Sequence, residues 1–373
     1  MSNMEYKFSE LFSWQSGKPV VLNDGEIPVY GSNGIVGYTH LAKFKNKIIL
    51  GRVGAYCGSV EYCSKEFNAT DNTLVTTCDE SKILYQYAFY LLNQYKLNKY
   101  AGGSAQPLIT QGVLKHLKCD IPNIETQSQI TNILLSYDNL IENNNKRIKI
   151  LEQMIEELYK EWFVRYRIHF AKLTFKKNTP NGWEYRRIDE MFLTSSGGTP
   201  ARNRAEYYKN GTIPWVKTGE LLDSIIFETE EHITEEAIKN SAAKIIEPYS
   251  LLCSMYAGVG KLGINSIEMT CSQATCVIKP ISYCSVYYLF SWLKLNKVYL
   301  ENISSGAAQQ NISQEIIKKI RFLCPTKEII RAYDQMVVPM WDEILFLKKK
   351  NKLLEQQRDL LLPRLMSGKL EVK

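Results

Sequence analysis

The sequence predicts an α+β protein: two mixed α/β globules separated by two long antiparallel helices that form a coiled-coil spacer with pseudo-two-fold symmetry. Three observations predict it. The chain writes nearly the same phrase twice, "GSAQPLITQGVLKHL" from Gly103 and "GAAQQNISQEIIKKI" from Gly306. Each copy runs on into a long stretch whose apolar residues recur three and four apart, the period of an amphipathic helix. Ahead of each copy lie segments rich in Gly, Tyr, Val and short apolar runs, which read as strands joined by turns.

Aligned at a constant offset of 203, Gly103–Pro122 and Gly306–Pro325 share seven of twenty positions: the Gly, Ala105/Ala308, Gln106/Gln309, Ile109/Ile312, Gln111/Gln314, Lys115/Lys318 and the Pro. The register continues to Leu151-Glu152-Gln153 and Leu354-Glu355-Gln356. The front of each half repeats more loosely. Phe8–Phe12 resembles Ile188–Phe192, Gly17 falls on Gly197, and Ile27-Pro28 on Ile213-Pro214. Offsets grow from 180 to 186 to 203, so the second copy carries insertions in its middle. A repeat of about 200 residues is a duplicated domain and not a solenoid unit.

Within each half, "KNKIILGRVGAYCGSVEY" and "YSLLCSMYAGVGKLGI" predict strands with Gly-containing turns, and "KILYQYAFYLLNQY" and "VYYLFSWLKLNKVYL" a short helix. From Glu125 to Tyr166 no Pro or Gly interrupts the apolar stripe; some forty helical residues make a rod of roughly 60 Å. The second rod runs from about Lys327 to Leu362. Pro339 is expected to kink its early part or postpone its start, and Pro363 to sit near its end. A lone amphipathic rod cannot hide its stripe. Two surface helices, each on its own domain, would satisfy it; pairing of the duplicated rods about a two-fold axis, hence antiparallel, is the sharper expectation. The spacer positions are then Leu140, Asn144, Ile148, Leu151, Leu158 and Trp162 in the first rod, and Leu347, Asn351, Leu354 and Leu361 in the second. Full overlap would place Asn144 opposite Asn351, where a buried Asn pair fixes register at some cost in stability. The alternative has both side chains in solvent.

The 373 residues allow two domains plus connections. No run of 18 apolar residues occurs, so no membrane-spanning helix is expected. The N-terminus "MSNMEYKFSELFSW" lacks an apolar signal core, and a cytoplasmic location follows. Nine cysteines occur with no CxxC and no nearby His to complete a zinc set; they read as buried thiols of a reducing compartment, with no metal. A net charge of +7 is compatible with a polyanionic partner without requiring one.

Several segments together resemble the specificity subunit of a Type I restriction-modification system, over nearly the whole length. They are "IPVYGSNGIVGY" (Ile27–Tyr38), "SSGGTPARNRAEYYKNGTIPWVKTGEL" (Ser195–Leu221), the two Gln-containing repeats, "ELYKEWFVRYR" and "LLLPRLMSGKL". The resemblance implies target-recognition domains at 1–124 and 183–326, conserved helices at 125–166 and 327–373, and a linker at 167–182. It implies that each recognition domain reads one half of a bipartite, asymmetric target in double-stranded DNA. It implies that the helices dock two methyltransferase (modification) subunits, and that the complex recruits restriction (translocase/nuclease) subunits, with no catalysis and no cofactor of its own. One departure stands out: the first copy has Gly17-Lys18-Pro19 where the second has Gly197-Gly198-Thr199-Pro200-Ala201-Arg202.

Reading DNA takes base-edge donors and acceptors on a positive frame. Gln106 and Gln309 each follow a Gly-small-Ala stretch that permits close backbone approach. Thr110 and Ser313 are placed to cap the following short helix, whose amides suit a phosphate. Because the Gln persists in both copies while the half-sites differ, it reads first as helix-entry or phosphate-facing structure and only second as a base reader. Base readers are expected in the divergent centres: Lys43, Lys45, Arg52 and Tyr56, with the Gly31–Gly34 turn, in the first domain; Arg202, Arg204, Lys217, Tyr256 and Lys261 in the second, with Thr199 as a further DNA-binding residue. The stretch "GVGKLG" lacks the GxxxxGK[ST] spacing of a phosphate loop.

Other functions leave less trace. A stand-alone adenine methyltransferase needs an Asn/Asp-Pro-Pro-Tyr/Phe motif and a Gly-rich cofactor turn, and the chain has neither. Its four histidines (His40, His116, His169, His232) are scattered. Two alternatives remain open at this level: a protein-binding coiled-coil scaffold with two globular heads, and the recognition subunit of a related Type II methyltransferase-nuclease system.

Overall fold

The structure, a computed structural model, describes residues 3–103, 106–256, 258–304 and 311–371. The chain forms two compact units, residues 1–142 with 352–373, and residues 143–351. Each unit takes a stretch of both long helices.

The first unit is built on a six-stranded sheet in the order Phe12–Ser16, Thr73–Cys78, Phe44–Gly51, Val60–Ala69, Ile27–Gly31, Gly34–Thr39. Alternation of Ile48 and Leu50 against Ile49 splits its apolar residues between two faces. Ile48, Leu50 and Leu74 pack under the helix Tyr85–Gln94, while Ile49, Phe67 and Val75 form a smaller core on the other side. The N-terminal strand Met4–Lys7 closes the unit by pairing antiparallel with Lys118–Ile121.

The second unit repeats this plan. Its five-stranded sheet runs Phe192–Ser196, Thr275–Pro280, Leu251–Ser254, Leu262–Asn265, Ser224–Ile226. The helix Val286–Leu295 covers it, and Glu184–Arg187 pairs with Arg321–Cys324 as its counterpart pair does in the first unit. The parallel pairing Val29↔Asn68 recurs as Trp215↔Thr270, in a separate three-stranded sheet with Glu231–Ile233. The extra residues of the second copy therefore detach this edge into a layer of its own. Gly17 and Gly197 mark one repeated constraint. Each donates its N–H to the matching carbonyl, of Thr73 and Thr275. A Cβ would lie 2.0 Å from Thr70 O at Gly17 and 2.3 Å from Ser272 O at Gly197, far inside van der Waals contact.

The first long helix spans Ile124–Tyr159 and ends in a π-helical turn, Lys160–Val164, that buries Trp162 and Phe163. The second spans Lys327–Met366 without a break. Pro339 does not postpone its start: the residue is exposed, so the carbonyl it leaves unpaired one turn earlier faces water. In the second unit the helices run antiparallel. Asn144 Nδ2 donates to Asn351 Oδ1 at 2.7 Å, Arg147 pairs with Glu343 at 2.7 Å, and Ile148, Ile155 and Tyr159 share a core with Tyr333, Val337, Trp341, Ile344 and Leu347. In the first unit Ile130 and Leu134 meet Leu365 and Met366, flanked by Leu361 and Leu362. Buried positions recur three and four apart, which is coiled-coil spacing. Leu151, Leu158 and Leu354 are half-buried along this seam. Leu140, expected in the stripe, is instead 45% exposed; it sits one residue, about 100° of helix, before the half-buried Ile141.

Candidate nucleic-acid interface

In each unit the residues that follow the repeated Gly/Gln stretch bond to the divergent Gly-rich turn, and this juxtaposition organises the site. In the first unit Ile109 N–H donates to Arg52 O at 3.0 Å and Gly54 N–H to Pro107 O at 3.0 Å, and Val53 bridges Leu108. In the second, Ile312 N–H donates to Met255 O at 3.0 Å. Met255 is the counterpart of Arg52 at the repeat offset of 203. The same backbone clasp therefore presents different side chains in the two units.

The strand Phe44–Gly51 delivers Arg52 to the turn, and Ser32 locks the neighbouring hairpin onto it. Ser32 Oγ donates to Asn72 O at 2.6 Å and accepts from Val53 N–H, while Ser59 Oγ donates to Ser32 O at 2.8 Å. Arg52, Tyr56, Gln106 and the Gly31–Gly34 turn are thereby brought to one place, with Tyr56 and Gln106 exposed. Arg52 is half-buried, its Nε enclosed without a hydrogen-bond partner among the described residues. Lys43 and Lys45 do not join them. Lys45 stands near the opposite end of the eight-residue strand and Lys43 just before it, roughly 23 and 30 Å away at about 3.3 Å per residue, and Lys45 pairs with Glu66 at 3.7 Å.

The second unit has two groups. Tyr256 and Lys261 lie on the turn after Leu251–Ser254, where Ser254 Oγ accepts from Lys261 N–H at 2.9 Å. Tyr256 is exposed and Lys261 half-buried. Gln309 lies outside the described residues. The other group belongs to the inserted layer. The Arg202 guanidinium lies 4.6 Å from the Tyr208 ring and 4.7 Å from the Trp215 ring, and donates to Glu231 at 2.5 Å. Trp215 Nε1 donates to Gly198 O at 3.0 Å, fixing the Gly-Gly-Thr-Pro segment on which Thr199 Oγ1 accepts from Gln273 N–H. Lys217 Nζ donates to Glu230 and Glu231 at 2.7 and 3.1 Å. Glu231 is the hub. The Arg202 hydrogen bond, and then that of Lys217, hold its carboxyl below the usual range, while Glu230 and Glu231 raise Lys217. Arg204 pairs more loosely with Glu206, at 3.8 Å.

Arg202 and Lys217 thus hold the inserted layer together as well as carrying charge. Among the described residues no ion pair involves Lys43, Arg52 or Lys261, which leaves their charge for an outside anion. Glu231 was missed by the sequence reading, although the acidic run from Glu228 to Glu231 was the available signal. The helices capped by Thr110 and Ser313 are only Gln111–Lys115 and Gln314–Lys319. One turn of helix sums few peptide dipoles, so the expected phosphate site at their N-termini has little electrostatic basis. Gln314 is also committed to structure, bonding Thr194 and Ser196.

A family profile described as "Type I restriction modification DNA specificity domain" matches residues 4–153 and 180–338. The chain is similar to the Type I restriction enzyme MjaIX specificity subunit of Methanocaldococcus jannaschii, 26% identical over 306 residues that cover 78% of this chain and 70% of that one. It is similar also to the HindI specificity subunit of Haemophilus influenzae, 25% identical over 379 residues and covering 81% and 82%. Among solved structures, the S subunit of a Type I restriction-modification system from M. genitalium superposes with a TM-score of 0.64 at 17% identity, over 98% of this chain and 96% of that one. The likeness to that structure is one of fold. No described helix is long and apolar enough to cross a membrane.

Proposed function

The chain belongs to the family of Type I restriction modification DNA specificity domains, and from that premise we propose that it is the DNA-reading subunit of such a system. Each unit reads one half of a bipartite double-stranded target in the cytoplasm. The observation that carries this reading is the repeated clasp, Ile109 on Arg52 and Ile312 on Met255. One scaffold holds two different sets of side chains, which suits two half-sites of different sequence and hence a target without a palindrome. Base readout falls to the exposed residues of the turns, Tyr56 and Gln106 in the first unit and Tyr256 in the second, with Arg52 and Lys261 meeting phosphate or base edges.

The subunit catalyses nothing in this reading. It positions methyltransferase and restriction subunits, which supply the chemistry. The long helices serve as docking faces as well as a spacer. Leu140 and Leu360 in the first unit, and Met336 and Phe346 in the second, are each at least 45% exposed. These are apolar groups that a partner helix would cover.

The test is methylation mapping of a host that carries this chain with its methyltransferase. An asymmetric motif of two short specified blocks around unspecified bases is expected, and it disappears when the chain is deleted. A continuous or palindromic motif, or methylation that persists without the chain, refutes the reading.

A further inference from the structure

The helical seam contains polar groups where a coiled coil ordinarily places apolar ones, and they do not obey the repeat. In the second unit Asn144 and Asn351 are buried, 2% and 7% exposed, and bond to one another. Asn351 Nδ2 also donates to Asn145 Oδ1 at 2.8 Å. In the first unit Arg358 Nη1 donates to Asp138 at 2.6 Å, and Tyr90 OH donates to the same carboxylate. The offset of 203 equates Asn144 with Leu347, Ile148 with Asn351, Asp138 with Trp341, and Ile155 with Arg358. The seam position that holds an ion pair in one unit therefore holds Trp341 and Ile155, both buried in one core, in the other.

We propose that the Asp138–Arg358 and Asn144–Asn351 pairs make each long helix selective for the other helix of this chain and unfit to pair with a second copy of itself. The repeat gives both helices a similar apolar stripe, so self-pairing is the natural competitor. Two copies of the first helix in the same antiparallel register would set Asp138 against Ile155 and Asn144 against Ile148. Two copies of the second would set Arg358 against Trp341 and Asn351 against Leu347. Each mismatch occurs twice, because the pair is two-fold. Asn144 and Asn351 would lose one another while remaining buried, and Asp138 and Arg358, half-buried at 28% and 27% exposure, would lose their ion pair to an apolar neighbour; leaving such groups unpaired costs far more than the partnered contact contributes. A single polar residue at a seam position is known to select partner and register at a cost in stability. The selectivity keeps two dissimilar recognition units in one assembly, and it holds whatever those units bind.

The experiment uses the full chain and needs no DNA. Tagged and untagged copies are co-expressed, and the untagged chain retained with the tagged one is measured. The quadruple variant Asp138→Leu, Arg358→Leu, Asn144→Leu and Asn351→Ile removes the polar pairs. It is expected to unfold a few degrees higher than wild type, and to retain about tenfold or more untagged chain. Retention no greater than wild type overturns the proposal. The exchange variant Asp138→Arg with Arg358→Asp gives the second reading. Each single change lowers the unfolding temperature, and the double change recovers most of it; a double variant as unstable as the worse single variant shows that the two residues are not coupled, and equally overturns it.

Discussion

Replacing Arg202 by Ala separates a structural arginine from a base-reading one. Its guanidinium sits between Tyr208 and Trp215 at 4.6 and 4.7 Å. Each such contact contributes about 0.5–1 kcal/mol at a partly exposed site. The Glu231 bond joins side chains that are 52% and 32% exposed, so screening limits it to about 0–1 kcal/mol. The loss is then about 2 kcal/mol for a unit spanning residues 143–351, or a fall in its unfolding temperature of about 4–8 °C. A pH dependence accompanies it. Arg202 holds the Glu231 carboxyl below its ordinary value. That contribution is fully present above the unfolded-state pKa and is lost as pH falls through the lower folded value. The wild-type advantage over Arg202→Ala therefore shrinks in acid. Arg202→Lys keeps a charge for Glu231 but not the flat stack, and recovers less than half of the loss. Calorimetry from pH 3 to pH 7, with methylation mapping of the same variants, gives the comparison. An Arg202→Ala protein that melts within about 1 °C of wild type yet loses one half-site would refute the structural assignment and make Arg202 a reader.

Gly17→Ala and Gly197→Ala should each destabilise by about 3 kcal/mol or more, since the new methyl meets backbone oxygens that cannot move aside; chemical denaturation measures it, and a loss under about 1 kcal/mol contradicts the close approach. Lys348 is desolvated and its pKa lowered by that burial, with Nζ 3.4 Å from Ile225 O. Lys348→Met should raise the unfolding temperature at neutral pH. The gap should narrow as pH rises toward the unfolded lysine value, because the penalty is relieved once the folded form loses its proton; a gap independent of pH counts against it. Seven residues inserted after Asn145, and seven at the counterpart position of the second helix, preserve the seam phase and add roughly 10 Å. The methylated motif should then gain about three unspecified base pairs with both half-sites unchanged, and an unaltered spacer shows that the helices do not set it.

Much of the architecture was legible because it follows from periodicity. The offset of 203 announced two related units, and the stripe from Ile130 to Trp162 announced the first long helix. Where one carbonyl's fate mattered, periodicity failed. Pro339 reads as a break, but the helix passes through it because that turn faces water. Leu140 reads as a stripe position by its spacing, yet helix phase turns it outward. The site was legible only as a set of candidates. Gln106 lies 50 residues and more along the chain from Arg52 and Tyr56, and hydrogen bonds made by the Ile109 and Gly54 amides gather them. Arg202 and Lys217 read as free charges because nothing local reveals that a strand further on returns Glu231 to both.

By itself the sequence determined the duplication, the two amphipathic helices and the divergent centres, all of which are properties of residues near one another in the chain. Tertiary structure alone decided which charges remain available to an outside anion and which polar groups meet across the helical seam. The physical reason is range: amphipathic pattern acts over three or four residues, whereas an ion pair or a buried amide is settled by whatever distant segment folding brings within about 3 Å.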